Sequence, residues 1–171
     1  HPNHAALMEY NHAIHEMLIN YLSVEQDLGS GRRGQTVKII DFDNPANNEF
    51  VCTNQFKVEG VTQNIIPDIV CFVNGIPLVV IEAKRPDGNS KKGPTIDEGI
   101  SQSLRNQRHN EIPLLFAYSQ LILSINGNEG RYGTCGTPAK FWAAWREEDI
   151  SDAEMYAIKN KTLKNEQLAG L

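Results

Sequence analysis

Apolar residues recur between His4 and Leu28 at Leu7, Tyr10, Ile14, Met17, Leu18, Tyr21 and Leu22, the period of a helix with one apolar face packed on a sheet. The spacing changes at Ile69–Val73 and Leu78–Ile81, where apolar, mostly β-branched residues follow one another without a break. Runs of this length predict strands covered on both faces, in the middle of a sheet. The Asn74-Gly75 pair between them is a hairpin turn signal. Further strands are predicted over Thr36–Phe42 and Phe50–Val58, on either side of the turn formers Asp43-Asn44-Pro45-Ala46-Asn47-Asn48. Residues 36 to 84 therefore read as an antiparallel meander.

Downstream, Ile96–His109 is predicted to be a helix with Thr95 as N-cap and Glu98 completing a capping box, Ile100 and Leu104 facing inward. Pro113–Ile125 reads as strand, broken near Ser119-Gln120, so a helix and a strand follow the hairpin and suggest a crossover back into the sheet. The segment Ala139–Trp145 is short, aromatic and amphipathic, and its two tryptophans suit a core or docking face better than a base-stacking platform. Ser151-Asp152-Ala153-Glu154 is a second capping box and predicts a last helix, and Thr162 restarts an apolar pattern after it. These elements make an α/β (α+β) domain with a central mixed sheet over residues 1–147, and 148–171 as the start of a helical linker.

Composition narrows the classes little: 40% hydrophobic and 22% charged residues are ordinary for a globular chain, and no apolar run approaches a membrane span. Three scattered cysteines, Cys52, Cys71 and Cys135, form no metal-ligand spacing and lead us to expect reduced thiols and a cytoplasmic protein. The first residue is His1 rather than methionine, which leads us to expect a cut or processed piece lacking an upstream part. Net charge is -5, yet Lys84, Arg85, Lys91, Lys92, Arg105 and Arg108 outnumber Asp87, Asp97 and Glu98 between residues 84 and 108. The basic surplus thus sits beside the central hairpin, a distribution suited to phosphate contacts.

Against that apolar hairpin, Asp68 at the start of the first strand and Glu82 and Lys84 at the end of the second stand out. A buried carboxylate needs a partner, a hydrogen bond or a metal. Glu82 and Lys84 are two apart and share a strand face. A plain two-residue loop would set Asp68 against Ile81, on the other face; a three-residue loop, Asn74-Gly75-Ile76, or an equivalent bulge, would set it opposite Glu82. We expect the odd loop or bulge, which gives hard oxygens for Mg²⁺ with a cation beside them. The bland alternative is a structural Glu82–Lys84 ion pair with Asp68 capping a turn.

Two other patterns carry less. Gly29-Ser30-Gly31-Arg32-Arg33-Gly34 matches G-x-G-x-x-G, but a helix precedes it and a strand follows, the reverse of a dinucleotide fold, so it reads as a loop. His12 and His15, three apart on the first helix, have no third ligand and read as solvated.

Pro67-Asp68 and Glu82-Ala83-Lys84 form the pattern of the PD-(D/E)xK nucleases. Together with Asn44 to Phe50, Asn54-Gln55-Phe56, the hairpin from Phe72 to Pro86, Gln102, Pro113-Leu114-Leu115-Phe116, Gly127 and Arg131-Tyr132-Gly133, this resembles the N-terminal nuclease domain of the restriction (motor) subunit of type I restriction-modification enzymes. Two positions depart from the family's usual pattern: Ile66 stands before Pro67 where an arginine is common, and Asn106 follows Gln102 by four where a tyrosine is common.

The resemblance implies a restriction-endonuclease-like fold and Mg²⁺-dependent hydrolysis of double-stranded DNA, a type I site-specific deoxyribonuclease. It implies that Asp68, Glu82 and the Ala83 carbonyl hold the ion, that Lys84 orients water or balances charge, and that Gln102 contacts phosphate or orients the site. Arg85, Lys91, Lys92, Arg105 and Arg108 are candidates for DNA phosphates. An acid from an upstream helix is also implied, with Glu9, Glu16 and Glu25 as possibilities. ATP would be used by a motor elsewhere in the polypeptide, since no Walker A pattern occurs here. Sequence choice would rest with modification and specificity subunits. The alternatives are a non-catalytic docking domain of the same fold and a stand-alone nuclease of another DNA-processing pathway.

Overall fold

The computed structural model describes residues 4–27, 29, 31–85, 95–127, 129–146 and 150–160. Helix α1 (His4–Ile19) ends earlier than its apolar period suggests, because Asn20 closes it with bonds from its backbone N–H and its Nδ2 to Glu16. The polar–apolar alternation after it, Leu22-Ser23-Val24-Glu25, then becomes strand β1 (Leu22–Asp27), paired with β2 (Arg32–Val37). The predicted strand at Thr36–Phe42 is thus displaced towards the N-terminus; of the glycine-rich motif, Gly29 and Gly31 have positive φ and Arg32-Arg33-Gly34 lie in β2.

The main sheet has six strands in the order β3 (Phe50–Asn54), β4 (Ile69–Val73), β5 (Ile76–Ala83), β6 (Leu121–Ile125), β7 (Gly130–Gly133) and β8 (Ala143–Ala144). Among the described strands only β5 and β6 are parallel, so the expected mixed sheet with its antiparallel meander is present. Strand β3 stops at Asn54, before the predicted Val58, because Gln55 turns to positive φ; Val58 keeps only an isolated bridge to Ile65.

The parallel crossover from β5 to β6 runs through α2 (Ile96–Asn106) and α3 (Pro113–Tyr118). The capping box forms as expected: Glu98 N–H donates to Thr95 Oγ1, and Thr95 N–H donates to Glu98 Oε2. The second helix corrects a strand expectation. Pro113 sits in its first turn, where proline's fixed φ suits a helix, and Leu115, Phe116 and Ala117 are all buried. Helix α1 packs on α3, where Asn11 Nδ2 donates to the carbonyls of Phe116, Ala117 and Ser119. A last helix, α4 (Asp152–Lys159), starts at the predicted Ser151 box, with Ser151 N–H donating to Glu154 Oε2; Thr162 lies outside the described residues.

Helices α2 and α3 cover one sheet face. Val70, Phe72, Val80, Glu82 and Ile122 lie on it and join Ile96, Ile100, Ile112, Leu115, Phe116 and Trp142 at the core. Among the described residues the expected cover on both faces is not found: Ile69, Cys71, Val79, Ile81 and Leu123, on the opposite face, keep partial exposure. That face also holds Cys52 directly opposite Cys71, their Cα atoms 4.2 Å apart and their sulfurs joined in a disulfide. For this pair the expectation of reduced thiols is overturned; Cys135 is free and buried, and burial pushes its thiol up to about 11.

The turn between β4 and β5 is a two-residue one, Asn74 and Gly75, both at positive φ. Asn74 is tied down by three residues upstream of the hairpin, of which the sequence marks only Asn48 as a turn former. Its Nδ2 donates to the Ile39 carbonyl and Asn48 Oδ1, and its Oδ1 accepts from Glu49 N–H. Val73 pairs with Ile76 and Phe72 with Pro77, but Cys71 then pairs with Val79. Leu78 is the extra residue of a β-bulge next to a proline that has no N–H to give the ladder. From there Val70 faces Val80 and Ile69 faces Ile81, and one further step puts Asp68 opposite Glu82. The register is the one the site needs, reached by the bulge rather than a longer loop.

Candidate active site

Asp68, Glu82, Lys84 and Gln102 meet at the C-terminal end of β5, beside the first turns of α2. Asp68 Oδ2 accepts the Ala83 N–H at 2.9 Å, so its carboxylate is fixed to the strand that carries Glu82. Glu82 is 1% exposed. Its Oε2 accepts from Gln102 Nε2 at 2.7 Å and lies 3.6 Å from Lys84 Nζ. Lys84 Nζ in turn donates to Gln102 Oε1 at 2.8 Å. One amide thus bridges the acid and the base, holding both side chains at fixed separation.

The Glu82 carboxyl is pushed up to about 7, first by burial and next by the negative charge of Asp68, against the opposing pull of Lys84. Its second oxygen, Oε1, is buried without a hydrogen-bond partner among the described residues. Two converging carboxylates, one with an oxygen that has no partner among the described residues, repel one another, and Lys84 offsets that repulsion only in part. Hard oxygens whose repulsion a cation would relieve fit Mg²⁺ or Mn²⁺. No group of three or more His, Cys, Asp and Glu converges among the described residues. None of Glu9, Glu16 and Glu25 therefore completes this pair; α1 packs on α3, and His15 reaches Gln120 just before β6, at the opposite end of the parallel strands.

Helix α2 comes this close because of Gly99, a residue that the sequence reading passed over. A Cβ there would run into the Ser124 hydroxyl and sit 3.3 Å from Lys84 Cε. Ser124 Oγ donates to the Ile96 carbonyl at 2.9 Å, pinning the start of the helix to β6. A glycine inside a capped helix costs about 1 kcal/mol against alanine, and that local cost was the available signal.

A cleft of about 320 Å³ opens from Lys84 and is lined by Glu98, Ser101, Gln102 and Arg105. Arg85 and Arg108 are exposed nearby in the chain, while Lys91 and Lys92 lie outside the described residues. Of the tryptophans, Trp142 is buried with its Nε1 donating to the Thr137 carbonyl, and Trp145 stacks edge-on against Tyr132. His12 and His15 are exposed and do not form a cluster.

Residues 2–141 match the family described as type I restriction enzyme R protein N terminus. The chain is similar to the putative type I restriction enzyme MjaIXP endonuclease subunit of Methanocaldococcus jannaschii, 31% identical over 150 residues, covering 85% of this chain and 14% of that protein. It is also similar to the type I restriction enzyme HindI endonuclease subunit of Haemophilus influenzae, 27% identical over 171 residues, covering 95% of this chain and 16% of that protein. The chain therefore spans about one-seventh of the length of these relatives. With a match that runs from the first helix through the whole crossover to the strands beyond it, the chain belongs to the type I restriction enzyme R protein N-terminal family.

Proposed function

We propose that this chain is a Mg²⁺-dependent DNA endonuclease domain of the PD-(D/E)xK kind, part of a type I restriction enzyme. The observation that carries the reading is the buried Glu82, its Oε1 unpartnered and its carboxyl raised by burial and by Asp68, next to a lysine fixed by an amide. A purely structural ion pair would satisfy both carboxylate oxygens.

Asp68, Glu82 and the Ala83 carbonyl would hold the ion. When bound, Mg²⁺ polarises a phosphoryl oxygen and lowers the pKa of a coordinated water. The chain's own residues do the rest. Gln102 keeps Lys84 Nζ at the mouth of the cleft, where a fixed cation meets the charge that develops on phosphorus-bound oxygens. In the hydrolysis a water oxygen forms a new P–O bond, the ester P–O bond breaks, and the leaving oxygen takes up a proton. Arg85, Arg105 and Arg108 supply phosphate contacts that read no sequence. Lys91 and Lys92, in the segment between β5 and α2, are proposed for the same task.

In this reading the substrate is double-stranded DNA delivered by an ATP-driven motor elsewhere in the polypeptide, in complex with modification and specificity subunits. The compartment that goes with it is the cytoplasm; no described helix is long and apolar enough to cross a membrane.

Crystals of the chain grown with Mn²⁺ test it. An anomalous peak against Asp68 and Glu82 that disappears in Asp68→Ala is the expected outcome. No peak, or one elsewhere that is indifferent to that change, would sink the reading.

A further inference from the structure

The loop between Val58 and Ile65 stands beside the candidate active site and has no part in the chemistry described above. Its base is closed where Val58 and Ile65 exchange both backbone bonds, at 2.8 and 2.9 Å. Its outer half is fastened to the connection after α2: Val61 N–H donates to the Glu111 carbonyl at 3.3 Å, and Thr62 Oγ1 to the Asn110 carbonyl at 3.2 Å. Gly60 makes the turn possible, since a Cβ there would run into the Gln63 carbonyl and lie 3.3 Å from the Glu111 carbonyl. Only Ile66 and the buried Pro67 separate the loop from Asp68, so the backbone sets its place relative to that carboxylate.

Val61, Thr62, Gln63 and Asn64 are all exposed, and the side chains of Gln63 and Asn64 make no hydrogen bond among the described residues. Gln63 and Asn64 line a recess of about 440 Å³ together with Gln102 and Arg105, which also line the cleft that opens from Lys84. The recess therefore continues the cleft. From Val58 to Ile66 there is no lysine or arginine, and Glu59 is the one charged residue. A tip built to grip phosphate would carry a cation; two neutral amides, each with donors and an acceptor, suit base edges instead. Glu111 lines the recess too and repels phosphate from it, which leaves Lys84 and Arg105 as the phosphate side and the loop tip as the groove side.

We propose that the Gln63–Asn64 tip enters the minor groove of the duplex whose phosphate lies at Lys84 and Arg105, an inference that rests on the nuclease reading above. The minor groove is about 6 Å wide, a width that a single loop fills, whereas the major groove, at about 12 Å, takes a helix. Along its floor A·T and T·A pairs present only acceptors, and guanine adds an amino group that stands in the way. The amide N–H groups of Gln63 and Asn64 donate to those acceptors. The tip therefore tolerates any sequence, grips A·T-rich duplex best, and leaves both strands paired and stacked.

The test is fluorescence anisotropy of the full chain in EDTA with two fluorescein-labelled duplexes, identical except that one carries inosine in place of guanine, at a temperature where both are fully paired. In the minor groove inosine differs from guanine only by lacking the amino group. The parent chain should bind the inosine duplex severalfold more tightly. Gln63→Ala with Asn64→Ala should abolish that difference and weaken binding of the inosine duplex about tenfold, the scale of a lost groove contact. The slope of log affinity against log salt should stay unchanged in that variant, because no phosphate contact is lost. Arg105→Ala should do the reverse, making the slope shallower by about 1 and keeping the inosine preference. Equal or weaker binding of the inosine duplex by the parent, a preference that survives in the double variant, or no binding of either duplex at low salt would overturn the loop's role. None of these outcomes moves the Mn²⁺ peak, on which the nuclease reading is tested separately.

Discussion

The β1–β2 and β4–β5 hairpins both turn through glycines at positive φ, and both carry charged residues, but they differ in what surrounds them. β1–β2 forms a two-stranded sheet of its own, exposed along nearly its whole length. Its arginines, Arg32 and Arg33, lie opposite Asp27 and Gln26 in water, where a charge costs nothing to keep. β4–β5 lies between β3 and β6 under two helices, and its Glu82 is 1% exposed. A charged group there, the Glu82 carboxyl, is raised to about 7 and keeps an oxygen with no partner among the described residues. A glycine-rich string is therefore a poor guide to a site, and a carboxylate on a packed strand is a good one. Chemistry depends on the cost of burial, which composition does not record.

The largest effect that would break this contrast is in catalysis. Lys84→Ala should lower nicking of supercoiled plasmid in Mg²⁺ by at least ~100-fold, as loss of a fixed transition-state charge does. Activity within a few-fold of the parent would make Lys84 a structural partner only. Next is packing. Gly99→Ala pushes α2 off Ser124 and Lys84, for an expected loss of about 1–3 kcal/mol in urea unfolding. Adding Ser124→Ala should recover part of that loss, and strictly additive losses would show that the two positions do not meet.

A smaller effect concerns pH. A carboxyl with a native pKa of about 7 and an unfolded one near 4.5 binds more protons when folded, so stability declines as pH rises from 4.5 through 7 and stays low above it. Glu82→Gln removes that penalty. In metal-free buffer it should raise stability at pH 8 by an amount on the order of 1–3 kcal/mol relative to its effect at pH 4. A gain independent of pH would remove Glu82 as the source. The smallest effect belongs to the other hairpin: Arg32→Ala with Arg33→Ala should change unfolding free energy by no more than about 0.5 kcal/mol. A much larger loss would mean that β1–β2 is not the peripheral element described.

What could be read in advance was what is decided locally or by phase. The Thr95–Glu98 box depends on residues three apart and formed as expected. The Asp68–Glu82 pairing followed from strand alternation, since only an odd register brings them together. Pro113–Tyr118 reads as strand in the sequence because a six-residue apolar run has no resolvable period, although the proline at its start suits the first turn of a helix. Leu22–Asp27 was absorbed into the helix before it, although Ser23 and Glu25 alternate with Leu22 and Val24. Cys52 and Cys71, 19 apart, could be matched only once β3 and β4 were in register. Gln102 was expected at the site, but its bridging role needed the distance to both partners.

The bulge at Leu78 also constrains how this gene segment can change length. Losing one codon between Asn74 and Val79, or gaining one, would exchange the faces of the strand that follows and carry Glu82 away from Asp68. Changing by two would not. Length variation among relatives in this stretch should therefore come in even steps, so that the hairpin tip can diverge while the phase of the strand behind it stays fixed.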